Sequence, residues 1–237
     1  NYGIIPVYVF DGKPPNIKNK TIENRKQIRK KALEKLEQAI TIEDKIKYFK
    51  RSSSISKEQW EQCKELLNLM GIPYINAPEE ADSQCAYLSK VGLVDGVLTE
   101  DMDILTFGST KIIRNLTSHN VSTTEINLNN LLSHLKLNQD EFIDFCILLG
   151  CDYCQGISEY KPNIIFEYFS KCKTIEKTLE LMKNDNMNVP DEIQYKDTKK
   201  YFLNPTVIDI PLSSLKMNDP DCDKLLLKLV EDYGLIK

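Results

Sequence analysis

The chain has 237 residues, 41% of them hydrophobic and 28% charged, with a formal net charge of −4. That length suits one large domain or one domain with an appendage, and no run of 18 apolar residues exists to span a membrane as a helix. The charge is unevenly placed: residues 1–64 hold 15 Lys and Arg against 8 Asp and Glu, whereas residues 65–237 hold 16 against 27.

In chain order, Ile4–Phe10 reads as a short buried strand ending at Asp11-Gly12. Thr21–Ala39 is helical and strongly basic, with too few apolar positions (Ile22, Ile28, Ala32, Leu33, Leu36) for a buried helix. A second polar helix is expected at Ile42–Phe49, after which Arg51-Ser52-Ser53-Ser54 breaks the pattern. Ser56 and Gln59 have capping-box spacing and open a helix through Leu69 that Gly71 closes. A strand at Ile72–Ile75, a helix at Pro78–Lys90 and a strand at Gly96–Thr99 follow. Asp101–Phe107 reads as a short helix and Lys111–Leu116 as a strand. Beyond it come helices at Leu128–Leu135, Asn138–Leu149 (cap-like Asn138 and Glu141), Asn163–Ser170 and Thr174–Met182. Strands alternating with helices through residue 116 predict an α/β fold with a parallel sheet, followed by a helical extension.

The seven cysteines are irregularly spaced, and Asn1-Tyr2-Gly3-Ile4-Ile5-Pro6 has none of the features of a secretory signal. Reduced thiols in an intracellular compartment are therefore expected, the nucleus if the source is eukaryotic. Cys151 and Cys154 form one C-x2-C, but His119 and His134 are distant, so packing thiols are the better reading than zinc.

The carboxylates carry the chemical signal. Asp11 follows the first strand, Glu80 and Asp82 open the helix after the second, and Asp101 and Asp103 follow the third. In an open parallel sheet the ligand crevice lies outside the carboxyl ends of the strands. Asp152 joins them if the turn Leu148-Leu149-Gly150-Cys151-Asp152 folds over that edge. Residues two apart diverge around a regular helix, so each pair requires an irregular first turn to converge. Carboxylates so clustered repel one another unless cations neutralise them, and an all-oxygen donor set suits Mg²⁺ or Mn²⁺. Two such ions roughly 4 Å apart clamp the attacking and leaving oxygens of a phosphodiester. Glu79 and Glu100 read as exposed or supporting groups. The basic helix would supply the electrostatic part of nucleic-acid affinity beside such a crevice.

Four segments carry a family resemblance: Val7-Tyr8-Val9-Phe10-Asp11-Gly12-Lys13-Pro14-Pro15, Ala77-Pro78-Glu79-Glu80-Ala81-Asp82, Thr99 through Gly108, and Cys146 through Cys154. In order and spacing they resemble the flap endonuclease family of structure-specific 5′-nucleases, over nearly the whole chain. The resemblance implies a parallel-sheet nuclease core at 1–155, a helical arch at about 18–55, and a helix-hairpin-helix-like extension at 156–237. It implies that Asp11, Glu80 and Asp82 hold one Mg²⁺ while Asp101, Asp103 and Asp152 hold the other. Asp82 stands where the family has Glu. Lys18 and Arg25 are implied to act on the scissile phosphate, and Lys18, Arg25, Arg29, Glu80, Gly150 and Asp152 to meet DNA. The arch at Thr21–Phe49 would pass the single-stranded 5′ flap.

The resemblance also carries departures. The family has a preceding segment with a central strand and a further metal-ligand Asp. Its hairpin turn has Gly-Ile-Gly before Pro where this chain has Glu159-Tyr160-Lys161-Pro162, and a sliding-clamp-binding tail is not supported by Gly234-Leu235-Ile236-Lys237. The implied function is a monomeric, metal-dependent 5′-flap endonuclease and 5′-3′ exonuclease on branched DNA in replication and repair. The alternative is a catalytically incompetent homologue that binds structured DNA. A third reading, a phosphatase with an Asp-x-Asp nucleophile at Asp101 and Asp103, has no use for a basic arch.

Overall fold

The computed structural model describes residues 3–118 and 120–235. Asn1, Tyr2, His119, Ile236 and Lys237 lie outside the described residues, so the readings of the extreme N-terminus, of His119 and of the last two residues are not addressed. The elements run β1 (Tyr8–Phe10), α1 (Asn19–Gln38), α2 (Ile42–Ser52), α3 (Lys57–Leu69), β2 (Tyr74–Asn76), α4 (Ala81–Lys90), β3 (Val97–Leu98) and α5 (Asp103–Thr106). They continue with β4 (Lys111–Arg114), β5 (Thr124–Asn127), α6 (Leu128–Leu135), α7 (Gln139–Leu149), α8 (Pro162–Cys172), α9 (Ile175–Asn184), α10 (Lys196–Leu203) and α11 (Cys222–Glu231). No helix among the described residues is long and apolar enough to cross a membrane.

The expected α/β class is observed, but hydrogen bonding divides the strands into two sets. β1 pairs with β2 in parallel, with Tyr8 opposite Tyr74. β3 pairs with β4 in parallel, Val97 opposite Ile112, and β5 adds an antiparallel edge through Ile112 and Ile126. The antiparallel β5 was not anticipated, nor were α10 and α11. The expected strand Ile72–Ile75 begins only at Tyr74. The Ile72 amide donates to Leu67 O at 2.9 Å to close α3, and Pro73 has no N–H to give. Likewise Ile4–Phe10 shortens to three residues, and the carbonyl of Pro73 takes the Tyr8 amide at 3.1 Å.

The chain folds as two compact units. The first comprises residues 3–10, 19–76 and 209–235. In it α1 and α2 pack as a helical hairpin joined by a short loop, and only Ala32 of the two helices is buried. Lys35 and Lys47 lie 5.8 and 5.4 Å from the Tyr48 ring centroid. Phe10 packs at 5.6 Å against both Trp60 and Tyr74, and α11 lies on α3 through a Lys228–Glu65 ion pair at 2.8 Å. The predicted capping box forms at Ser56 and Gln59.

The second unit comprises residues 11–18 and 77–208 and holds the main apolar core. Ile104, Leu105, Ile112, Ile147, Leu148, Phe169 and Met182 are fully enclosed there. The structure divides the chain differently from the expected 1–155 and 156–237 domains. The apolar faces of α8, α9 and α10 (Ile165, Phe169, Leu179, Met182, Phe202) bury themselves in the same core as α5 and α7. Residues 209–235 instead belong to the unit of α1–α3. α7 opens on the capping box of Asn138 and Glu141, as its spacing predicts.

Candidate active site

All six expected carboxylates and Lys18 belong to the second unit. Asp11 is placed by backbone pairing of its loop: the Gly12 amide donates to Glu79 O at 2.6 Å and the Lys13 amide to Pro78 O at 3.2 Å. The two strands of chain approach so closely that a Cβ at Gly12 would overlap Ala77 O and lie 2.6 Å from Pro78 O. Asp11 Oδ1 thereby accepts the Ala81 amide at 2.7 Å. Glu80, the extended N-cap of α4, makes no capping bond with its own side chain. Asp11 caps α4 in its place, and Asp82 sits in the first turn, where carboxylates complement the helix dipole.

The third strand delivers Asp101 and Asp103 through a turn of side-chain bonds. The Asp101 amide donates to Thr99 Oγ1 at 3.0 Å, and the Asp103 amide to Asp101 Oδ1 at 2.9 Å. Glu80 thus precedes α4 in extended backbone, and Asp101 lies in the turn before α5. Asp152 comes from the tight loop after α7. Cys151 and Cys154 exchange backbone hydrogen bonds across it at 2.9 and 3.3 Å, and the Ile157 amide donates to Leu148 O at 2.7 Å. Gly150 takes φ +92°, and a Cβ on Gly156 would overlap Leu148 O and Gly150 N. Asp101, Asp103, Gly150, Asp152 and Gly156 line an open cleft of about 420 Å³.

Lys18 brings a positive charge into this cluster. Its Nζ pairs with Glu80 Oε2 and lies 3.2 Å from Asp152 Oδ2 and 5.7 Å from the Tyr153 ring centroid. Burial depresses the Lys18 ammonium, but Glu80 and Asp152 outweigh it and leave the group raised above its ordinary value. Burial first, then Asp101, Asp11 and Glu80, pushes the Asp82 carboxyl up to about 7. Burial, then Asp101 and Asp152, pushes Asp103 up to about 6. Lys18 opposes both shifts. Electrostatic coupling thus links all six acids in one network.

Arg25 and Arg29, expected at the same site, lie on α1 in the other unit. The expected hairpin turn has its own contacts: Glu159 Oε2 accepts from Asn188 Nδ2 at 2.7 Å and Tyr160 Oη from the Asn188 amide at 2.8 Å. Pro162 then starts α8 at its first turn, a position that tolerates a missing N–H. Glu100 clasps the end of β4, taking the Asn115 amide at 2.7 Å and Arg114 Nε at 3.3 Å. Of the two readings of Glu79, the supporting one fits its enclosed Oε2 and the exposed one does not. Sequence reasoning missed Tyr153, whose ring backs Lys18, although its position directly after Asp152 was a usable signal.

Comparison with known proteins identifies the family. The XPG N-terminal domain pattern matches residues 1–32, which contain Asp11, Lys18, Arg25 and Arg29. The XPG I-region pattern matches residues 71–152, which contain the other five carboxylates. The solved flap endonuclease-1 of Methanococcus jannaschii is 34% identical with a TM-score of 0.70, over 97% of this chain and 70% of that one. The chain belongs to the flap endonuclease family. Flap endonuclease 1 of Nematostella vectensis is 42% identical over 238 residues, covering 98% of this chain and 63% of that protein. The chain therefore spans under two thirds of the length of that relative. The catalytic core of Rad2 in complex with DNA substrate gives a TM-score of 0.73 at 28% identity, over 98% of this chain and 75% of that one.

The donor set of this family member fits hard divalent cations. It is all carboxylate oxygen, and burial together with mutual repulsion drives Asp82 and Asp103 toward protonation. Among the described residues no three of these side chains converge on one point. Glu80 and Asp152 are turned to Lys18 instead.

Proposed function

We propose that this chain is the catalytic part of a divalent-metal-dependent 5′-flap endonuclease with 5′-3′ exonuclease activity on branched DNA, serving replication and repair. The observation that carries the reading is the coupled network of Asp11, Glu80, Asp82, Asp101, Asp103 and Asp152 around Lys18, in a member of a nuclease family. Asp11, Glu80 and Asp82 would hold one Mg²⁺, and Asp101, Asp103 and Asp152 a second, with Mn²⁺ able to substitute. Bound there, the cations supply Lewis-acid stabilisation of phosphate charge and lower the pKa of water.

The chain's own residues divide the remaining work. Lys18 carries a fixed positive charge to the cleft and neutralises the phosphate oxygens as charge develops in the transition state. The backbone of the Gly150–Gly156 loop forms the cleft wall that positions Asp152. Arg25 would assist Lys18 at the scissile phosphate, Arg29 and the neighbouring lysines of α1 would bind flap phosphates, and the poorly buried α1–α2 hairpin would be the arch. Seven unpaired thiols fit a reducing compartment, the nucleus in a eukaryote.

The test is incubation of the full chain with a 5′-labelled flap duplex and Mg²⁺. Cleavage that stops on chelation and falls by about a thousandfold in Asp101→Ala supports the reading. Cleavage that survives either change sinks the site assignment. Flap binding without cleavage, even at high Mn²⁺, points to the incompetent homologue.

A further inference from the structure

Lys18 touches three groups, and only two of them are claimed by the proposed metals. Glu80 and Asp152 are both assigned as carboxylate donors, so cation loading draws them away from the ammonium. The third contact, the ring of Tyr153 at 5.7 Å, is not a donor in that set and is unaffected by loading. That ring is also packed among other aromatic rings. It meets Tyr201 at 5.0 Å, Phe202 at 5.4 Å and Phe107 at 6.3 Å, each edge-on, and Thr198 Oγ1 donates to its backbone carbonyl at 3.3 Å. Its face carries negative quadrupole charge that attracts an ammonium. A flexible lysine released by both carboxylates loses orientation, and small misplacements of a reacting group cost large factors in rate.

We propose that the face of Tyr153 is the positioning platform for Lys18, keeping its ammonium at the cleft after Glu80 and Asp152 engage divalent cations. The inference rests on the nuclease reading above and adds a residue to it. Tyr153 acts through Lys18 rather than on the substrate. The phenol is dispensable in this role, because the ring face alone supplies the attraction. A leucine fills most of the volume but has no quadrupole.

Two measurements test it. In protein labelled with ¹³C-lysine, the Lys18 ε-methylene protons, assigned by their loss in Lys18→Met, should be shifted upfield by the ring. The shift should persist on adding Mg²⁺ and in Tyr153→Phe, and vanish in Tyr153→Leu. Its disappearance when Mg²⁺ is added to the unsubstituted protein overturns the proposal, and no activity is needed to see it. On a flap duplex, Tyr153→Leu should lower kcat about tenfold with KM nearly unchanged, and Tyr153→Phe should restore it. In a Lys18→Met background Tyr153→Leu should cost nothing more. A persistent tenfold loss there makes Tyr153 a packing residue and overturns the proposal. If the unsubstituted protein cleaves nothing, the nuclease reading fails while the resonance shift still decides the platform.

Discussion

The two units of this molecule solve opposite problems. The unit bearing the acids encloses its core completely, with Ile104, Leu105, Ile112, Ile147, Leu148 and Phe169 at or near zero exposure. The unit bearing α1 and α2 buries few apolar side chains, Ala32, Leu67, Ile75 and Leu215 among them, and leaves Ile28, Leu33 and Ile46 half exposed or more. Holding electrostatically coupled like charges together is costly, and a well-packed frame keeps them there. A basic hairpin that meets a flexible polyanion needs exposed charge rather than a fixed geometry. The difference teaches that, on the proposed reading, precision and electrostatic capture fall to separate parts of one chain.

The largest expected effect tests that division. Lys18→Met should reduce turnover on a flap duplex by about a hundredfold to a thousandfold while changing affinity little. Arg29→Ala, Lys30→Ala and Lys31→Ala should do the reverse. Each lowers the slope of log affinity against log salt by about 0.7–0.9 and leaves the saturated rate almost intact. Single-turnover cleavage and salt titration of binding separate the two. If Lys18→Met acts only through affinity, or the α1 changes only through turnover, the division is wrong.

Next in size is a steric probe of the rigid frame. Gly156→Ala places a Cβ against Leu148 O, Gly150 N and, at 2.7 Å, Gly150 Cα, all backbone atoms that must shift to admit it. The expected cost is about 3 kcal/mol, read as a lowered melting temperature, with loss of cleavage as the Asp152 loop moves. A tolerated alanine would show the loop to be as adaptable as the helical hairpin.

The acids themselves impose a pH dependence of known sign. Asp82 and Asp103 are raised to about 7 and about 6 in the folded protein, whereas an unfolded Asp titrates near its ordinary value of 3.8. Between those values the folded state binds more protons than the unfolded one, so stability falls as pH rises. Metal-free protein should lose stability progressively between pH 4 and 7, measured by urea melts. Mg²⁺ should abolish the decline by neutralising the same carboxylates. A flat metal-free profile would mean that the acids relax apart and that the frame does not hold them.

Much of this arrangement was legible beforehand because it is local. The capping boxes at Ser56 and Asn138, the basic face of α1 and the acids after each strand are all written within a few residues of where they act. What escaped was non-local. The late start of β2 at Tyr74 depends on Pro73 and on Ile72 closing α3, neither visible from hydrophobic pattern. α10 carries its apolar residues at one end, so its fit against Tyr153 and Phe107 emerges only once the core is assembled. The pairing of Lys18 with Glu80, 62 positions away, follows from the loop of Gly12 lying against Ala77 and Pro78. Asp11 acting as the cap of α4 follows from the same close approach.

The smallest expected effect bears on whether the two units differ in stability as well as in function. Ser56 and Asn138 make the same reciprocal cap, one on α3 and one on α7. Replacing either with alanine removes a bond to a helix N–H and should cost about 1 kcal/mol. The frame around each is unequal, since α7 presents Phe142, Ile143, Phe145, Ile147 and Leu148 to the core while α3 fully buries only Leu67. With buried area dominating stability, the unit of α1–α3 should melt first. Ser56→Ala should then lower an early transition by a few degrees and leave the later one in place, and Asn138→Ala should do the converse. Differential scanning calorimetry reads both. A single transition that responds equally to the two alanines would show that the sparse unit borrows its stability from the packed one, and the comparison would hold for chemistry alone.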